Sequence, residues 1–199
     1  MEDLILISNL NDFIFCPASI YFHKLYGSQD NLTYQSSYQI NGSKAHESVD
    51  NSSYSTKKSI ITALDVYSDK YKLSGKIDIY DMEKQLLIER KKHISKIYDG
   101  YVFQLYAQYY ALTEMGYAVQ KLEIRSLDDN KKYKINLPDE DLLMKNRFEE
   151  LIDTMRSFDL NEFFAVTNGK FNHESSVDKF LDAMTIQTKF PFSTEELRD

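Results

Sequence analysis

The sequence predicts a mixed α/β fold (α+β), with helical segments placed before, between and after the strands of one small sheet. β-Branched, aromatic and alternating residues are typical of strands at Ile60–Tyr67, Tyr71–Tyr80 and Gln85–Lys91. Apolar and aromatic residues recur 3 and 4 positions apart within Gly100–Gly116, as on one face of a helix. The predicted order is therefore helix, three strands, helix, two strands, helix.

The remaining elements follow from local signals. The N-terminal region 9–26 predicts a helix interrupted by Pro17, since proline restarts the backbone there. Lys121–Leu127 and Lys131–Leu137 predict a hairpin across a polar turn. Pro138 precedes three acidic residues, which favours a helix start through its fixed φ and the helix dipole. We expect that last helix to run to residue 158.

The composition excludes several classes of protein. The 199 residues hold 24 Lys and Arg against 31 Asp and Glu, for a net charge of −7. This balance argues against a protein that coats nucleic acid, although a nucleic-acid enzyme needs only a local basic rim. The single cysteine, Cys16, excludes an intramolecular disulfide and any four-thiolate site within one chain. We interpret Cys16 as a small buried hydrophobe.

The chain is expected to form one cytoplasmic domain. It has no run of 18 apolar residues that would cross a membrane. Its first charges are acidic, and no small-residue cleavage site follows them, which argues against a secretory signal. We divide the domain into a helical N-terminal segment (residues 1–58), a core (about residues 59–137) and a helical C-terminal segment (residues 138–199).

Two strands carry the residues that point to chemistry. Side chains alternate between the faces of a strand, so Glu89 and Lys91 share a face while Arg90 points to the other. If the turn is centred between positions 83 and 84, Asp78 lies directly opposite Glu89, although a one-residue slip would turn Asp78 away. Facing carboxylates repel each other unless a cation lies between them, and oxygen ligands suit a hard divalent ion.

Lys91 would then lie beside that metal, where it could orient a water or stabilise charge on a phosphate. The alternative interpretation is an ordinary solvated strand face, because Glu-x-Lys is a common pattern. The aliphatic run Leu86–Ile88 that precedes it favours the functional interpretation, since a buried strand seldom ends in charge.

Other candidates are weaker when taken singly. His46 could be a further metal ligand, or a surface histidine of a short helix. Gln104 and Gln108 are one helical turn apart, with Tyr109 adjacent, and could hold a water or a phosphate oxygen. The alternative for Gln104 is a solvent-facing helix residue.

Taken in order, these motifs resemble a known family. They read F-x-x-C-P (Phe13–Pro17), Y-F (Tyr21–Phe22), G-x-x-x-H-E (Gly42–Glu47), G-x-x-D (Gly75–Asp78), E-x-K (Glu89–Lys91) and Q-L-x-A (Gln104–Ala107). The chain thus resembles the CRISPR-associated Cas-four exonucleases, a RecB-like branch of the PD-(D/E)xK nucleases. The resemblance spans about two-thirds of the chain. It implies a restriction-endonuclease-like core with helical N-terminal and C-terminal elaborations.

The resemblance also implies site residues. His46, Asp78 and Glu89 match the metal ligands, Lys91 matches the catalytic lysine, and Gln104 matches the glutamine of a Q-x-x-x-Y motif. The cofactor would be Mg²⁺ or Mn²⁺.

Two features depart from the family. Family members commonly bind an iron–sulfur cluster through four cysteines, and only Cys16 is present here, so we predict no cluster. Gln108 stands where the tyrosine of the motif is expected, with Tyr109 next to it.

The implied activity is cleavage of DNA phosphodiesters. The family trims and selects DNA fragments (prespacers) with single-stranded overhangs for the CRISPR integrase complex, so the expected partners are DNA and that integrase. We predict DNA contacts by Gln104, Gln108, Tyr109 and Lys92, with a phosphate rim of Lys57, Lys58, Lys92, Lys131 and Lys132. The alternatives are a general RecB-like repair or phage nuclease, a non-cleaving adaptor that holds integrase and DNA, and a chance coincidence of motifs.

Overall fold

The computed structural model describes residues 4–21, 57–161 and 163. Its strands are β1 (Ile5–Leu6), β2 (Ile60–Thr62), β3 (Asp65–Ser68), β4 (Leu73–Lys76), β5 (Ile79–Asp81), β6 (Leu86–Lys91), β7 (Lys121–Ser126) and β8 (Lys132–Ile135). Its helices are α1 (Asn9–Phe15), α2 (Asp99–Glu114) and α3 (Leu142–Ser157). The predicted mixed α/β class is confirmed, and the arrangement is consistent with an α+β nuclease-like fold. The predicted metal ligand His46 lies outside the described residues, as do the ranges 22–56 and 164–199.

The strands form two sheets within the described ranges, not the single sheet predicted. A three-stranded sheet has the order β1-β4-β3, with β1 parallel to β4. A five-stranded sheet has the order β2-β5-β6-β7-β8, with β6 parallel to β7 and the other neighbours antiparallel. The central strand β6 is therefore the one that carries Glu89 and Lys91.

The two long predicted strands are each broken, which corrects the sequence-based prediction. Ile60–Tyr67 divides into β2 and β3 at Ala63, whose φ is +52°. Tyr71–Tyr80 divides into β4 and β5 around Asp78. The two bends lie side by side, because the Ala63 N–H donates to the Asp78 carbonyl at 3.2 Å and the Ile77 N–H donates to the Leu64 carbonyl at 3.0 Å. The antiparallel segments 60–68 and 73–81 therefore both pass from one sheet to the other at this pair of bends.

The main core lies between the sheets and the helices. Leu87, Leu122 and Ile124 of the five-stranded sheet belong to the same buried cluster as Phe103 and Tyr106 of α2. The opposite face of the sheet carries a smaller buried cluster of Ile79, Leu86 and Ile88. Both faces of β6 are thus apolar before its charged end, which is why Leu86–Ile88 is a continuous aliphatic run.

The helix ends agree with their local signals. The last hydrogen bond of α1 runs from the Cys16 N–H to the Asp12 carbonyl. The helix does not continue beyond it, because Pro17 has no backbone N–H to donate. The Asp141 carboxylate accepts a hydrogen bond from the Met144 N–H at 3.0 Å and caps α3, which ends one residue before the predicted position. Within the ranges described, no helix combines the length and apolar character required to cross a membrane.

Two close contacts fix the positions of β1 and α1 against β4 and α2. A Cβ on Gly75 would lie 2.8 Å from the Cβ of Ile7, so only glycine lets the end of β1 approach β4 this closely. A Cβ on Gly100 would overlap the Asn11 Oδ1, because α1 lies close to the first turn of α2. These contacts place Ser8, at the start of α1, next to the middle of α2.

Candidate functional site

The charged end of β6 is buried. The Lys91 Nζ lies 2.9 Å from the Glu89 Oε1, and their side chains are 19% and 7% exposed. The two side chains share a face, as their spacing predicted, and that face packs against α2. They do not form a solvated strand face, which was the alternative interpretation.

Asp78 lies beside this pair. Ile79 pairs with Ile88, which is the register predicted from the position of the turn. Asp78 precedes the paired residues of β5, and its Oδ2 accepts a hydrogen bond from the Arg90 N–H at 2.7 Å. The Asp78 carboxylate thus accepts a hydrogen bond that a backbone carbonyl would accept if the pairing of β5 with β6 continued. This contact brings Asp78 to the same end of β6 as Glu89.

The carboxylates control the charge of Lys91. Burial by itself lowers the pKa of the Lys91 ammonium, but the adjacent Glu89 carboxylate and the charge of Asp78 raise it above its ordinary value. The ring of Tyr101 adds a cation–π contact, with its centroid 5.0 Å from the Lys91 Nζ. Lys91 is therefore protonated at neutral pH and is suited to stabilise negative charge.

The two glutamines of α2 each hold one member of the ion pair. The Gln104 Oε1 accepts a hydrogen bond from the Lys91 Nζ at 2.6 Å, and its Nε2 donates to the Ser8 carbonyl at 3.5 Å. The Gln108 Nε2 donates to the Glu89 Oε2 at 2.7 Å and to the Lys76 carbonyl at 3.5 Å. Gln104 and Gln108 are 8% and 3% exposed, so Gln104 is not a solvent-facing helix residue.

The other predicted DNA-contact residues, Tyr109 and Lys92, make no side-chain hydrogen bond or ion pair with Glu89 or Lys91 within the described ranges. Tyr109 is half-buried and packs with its ring centroid 5.3 Å from that of Tyr110. Lys92 is exposed directly after β6, and its carbonyl accepts a hydrogen bond from the Asp128 N–H at 3.0 Å. The other four lysines of the predicted rim are also exposed, and Lys131 pairs with Asp129 at 2.8 Å.

The oxygen atoms at the site are of the chemical type that binds a hard divalent cation. Asp78 and Glu89 supply carboxylate oxygens, the ligands that Mg²⁺ and Mn²⁺ prefer. The Gln108 Oε1 is also buried and has no hydrogen-bond partner within the described ranges. The ranges described hold no cluster of three His, Cys, Asp or Glu residues suited to a metal ion, and His46, the third predicted ligand, lies outside them.

Cys16 is 2% exposed, and burial raises the pKa of its thiol. It is the only cysteine of the sequence, so cysteines of one chain cannot supply the four thiolates of an iron–sulfur cluster.

Sequence reasoning missed two components of the site. The Ser8 carbonyl is a backbone group, and no residue pattern indicates that it meets α2. Tyr101 lies one helical turn before Gln104, so the spacing that joined Gln104 to Gln108 also reaches it.

The fold resembles a known structure, the crystal structure of SSO0001. The match has a TM-score of 0.54 and 18% sequence identity, and it covers 78% of this chain and 76% of that chain. No family model matches the chain, and no curated protein matches it. At this identity the likeness concerns the fold alone.

Proposed function

We propose that the protein is a metal-dependent DNA nuclease that hydrolyses phosphodiester bonds. The observation that carries this proposal is the placement of Lys91. It bridges Glu89 and Gln104 at the end of a central strand, with Asp78 on the neighbouring chain segment. A buried lysine beside two carboxylates combines a cation site with a fixed positive charge, which are the groups that phosphoryl chemistry requires.

Asp78 and Glu89 would hold Mg²⁺ or Mn²⁺, with His46 as the third ligand that the family resemblance implies. When bound, the cation would polarise the scissile phosphate and lower the pKa of a bound water. Lys91 would donate hydrogen bonds to the phosphate oxygens and stabilise their negative charge. Gln104 would keep the Lys91 ammonium oriented while the substrate binds.

The biological role we propose is trimming and selection of prespacer DNA for the CRISPR integrase, in the cytoplasm. The order of the sequence motifs supports this role. A general RecB-like repair or phage nuclease would use the same residues. Binding to the CRISPR integrase would therefore distinguish the prespacer nuclease from a repair or phage nuclease. Tyr109 and Lys92 remain proposed DNA contacts. Gln104 and Gln108 are buried and hold Lys91 and Glu89, so we assign them the positioning of those two side chains and not direct contact with DNA.

A nuclease assay tests the proposal. The substrate is DNA with a single-stranded overhang, incubated with Mn²⁺, Mg²⁺ or chelator, with and without the integrase proteins. We expect metal-dependent cleavage by the unaltered chain and its loss in Lys91→Ala and Asp78→Ala. Lys121→Ala is the matched control, because Lys121 is an exposed lysine at the opposite end of the β6–β7 pair.

Three results would contradict the proposal. Equal cleavage by Lys91→Ala and the unaltered chain would remove Lys91 from the chemistry. The absence of cleavage in every condition, with DNA or integrase still bound, would favour a non-cleaving adaptor. Unaltered spacer selection by Asp78→Ala would also favour the adaptor.

A further inference from the structure

Gln108 contacts the candidate metal site through one side of its carboxamide. Its Nε2 donates to a carboxylate oxygen of Glu89 on β6 at 2.7 Å and to the carbonyl of Lys76 on β4 at 3.5 Å. Both partners are acceptors. Exchanging the amide nitrogen and oxygen would set an oxygen against two acceptors, so these contacts fix the orientation of the carboxamide.

The other side of the carboxamide has no such partner among the residues that the structure describes. The Gln108 side chain is 3% exposed, and its Oε1 accepts no hydrogen bond from any residue that the structure describes. A buried acceptor without a donor is costly. The orientation of the amide and this unpartnered oxygen together indicate a ligand that donates or binds at Oε1, and a metal-bound water has the required chemistry.

Among the residues that the structure describes, Lys91 and Gln108 both contact the Glu89 carboxylate, and they differ in character. Lys91 contacts Oε1 with a full charge that the proposed chemistry directs at a phosphate, so this contact changes when substrate binds. Gln108 contacts Oε2 with a neutral donor whose interaction does not depend on substrate. Gln108 is therefore a support of the Glu89 carboxylate that stays in place when substrate binds.

We infer that Gln108 is the positioning residue of the metal-binding carboxylate Glu89, whereas Gln104 positions Lys91. This inference rests on the proposed function. It assigns separate tasks to two glutamines one turn apart on α2, and it gives Gln108 a role at a position where the family motif carries a tyrosine.

Matched substitutions separate the two tasks. Gln108→Met and Gln104→Met each replace the amide by an apolar side chain of similar length. Mn²⁺ binding to the full chain without DNA is measured by calorimetry. Losing the group that orients a metal ligand typically weakens metal binding by about 10–100-fold. We expect a loss of that order in Gln108→Met and an affinity near that of the unaltered chain in Gln104→Met.

Cleavage kinetics give the second readout. Raising the Mn²⁺ concentration should restore much of the cleavage rate of Gln108→Met, because its defect lies in metal binding. The rate of Gln104→Met should stay low at saturating Mn²⁺, because its defect lies in the orientation of Lys91. A purely structural role for Gln108 would not produce this division between metal affinity and maximal rate.

Unchanged Mn²⁺ affinity in Gln108→Met would overturn the inference alone. A chain without substitutions that binds no Mn²⁺ would overturn the proposed function and the inference together. If Gln108→Met does not fold by circular dichroism, Gln108→Asn withdraws the amide by one methylene and takes its place in the titration. The same loss of affinity is expected, and an unchanged affinity would overturn the inference.

Discussion

The Lys91 Nζ lies 2.9 Å from the Glu89 Oε1, two residues earlier on the same strand, and both side chains are largely buried. Removing one member of a buried ion pair leaves the other charge without compensation. The cost of that loss is usually larger than the net contribution of the pair.

We expect Lys91→Met to lower the free energy of unfolding by about 3 kcal/mol at neutral pH. The measurement is urea denaturation in the presence of chelator. The double variant Lys91→Met/Glu89→Leu is the control, because it removes both charges and should recover most of the loss. If the double variant were the less stable of the two, the buried pair would be stabilising in its own right.

Gly75→Ala should lower the free energy of unfolding by about 1–3 kcal/mol, the usual cost of overpacking. The new methyl group would lie 2.8 Å from the Cβ of Ile7, an atom that cannot move without its backbone. Urea denaturation measures the change. Ser74→Ala on the same strand is the control and should be close to neutral, and equal effects of the two substitutions would show that the Ile7 contact is not tight.

Asp141→Ala should destabilise the protein by about 1 kcal/mol, because the Met144 N–H loses its cap. Asp141→Asn retains an acceptor oxygen and should lose much less. Thermal unfolding of both variants, followed by circular dichroism, measures the difference. An equal loss in both would assign the effect to the negative charge of Asp141 and not to the hydrogen bond.

Asp81 predicts a dependence of stability on pH. A hydrogen bond from Lys84 lowers the pKa of the Asp81 carboxyl, although burial opposes the shift. A carboxyl group whose pKa is lower in the folded state stabilises the fold above its unfolded pKa of about 3.9, and this stabilisation is lost as the pH falls through the folded value. Asp81→Asn should therefore be less stable than the unaltered chain at pH values of about 7, and the difference should shrink below about 4.

Urea denaturation across that pH range measures the difference. Lys84→Met removes the other half of the pair, whose Nζ–Oδ2 distance is 2.8 Å, and should give the same pH profile. A difference that stays constant with pH would show that the carboxyl does not titrate in the way described.

Local signals predicted the features of the site that depend on nearby residues. The position of one turn gave the register in which Ile79 opposes Ile88, and helical spacing placed Gln104 and Gln108 on one side of α2. Strand alternation placed Glu89 and Lys91 on one face.

The sequence could not predict the features that depend on distant contacts. The division into two sheets occurs at Ala63, a residue whose positive φ has no sequence signal, and at Asp78 on the adjacent segment. The burial of Gln104 depends on the Ser8 carbonyl, 96 residues away along the chain. The position of His46 lies outside the described residues and stays a prediction.

The turn between β5 and β6 has a consequence for changes in chain length. It ends at Gln85, whose φ is +50°, and it sets which residues of β6 face α2. Since Leu86, Leu87 and Ile88 are all apolar, inserting one residue in this turn would move β6 by one position and still bury aliphatic side chains on both faces. Glu89 and Lys91 would leave the α2 face together and Arg90 would take their place, so such an insertion would remove the site while the aliphatic part of the strand stays buried.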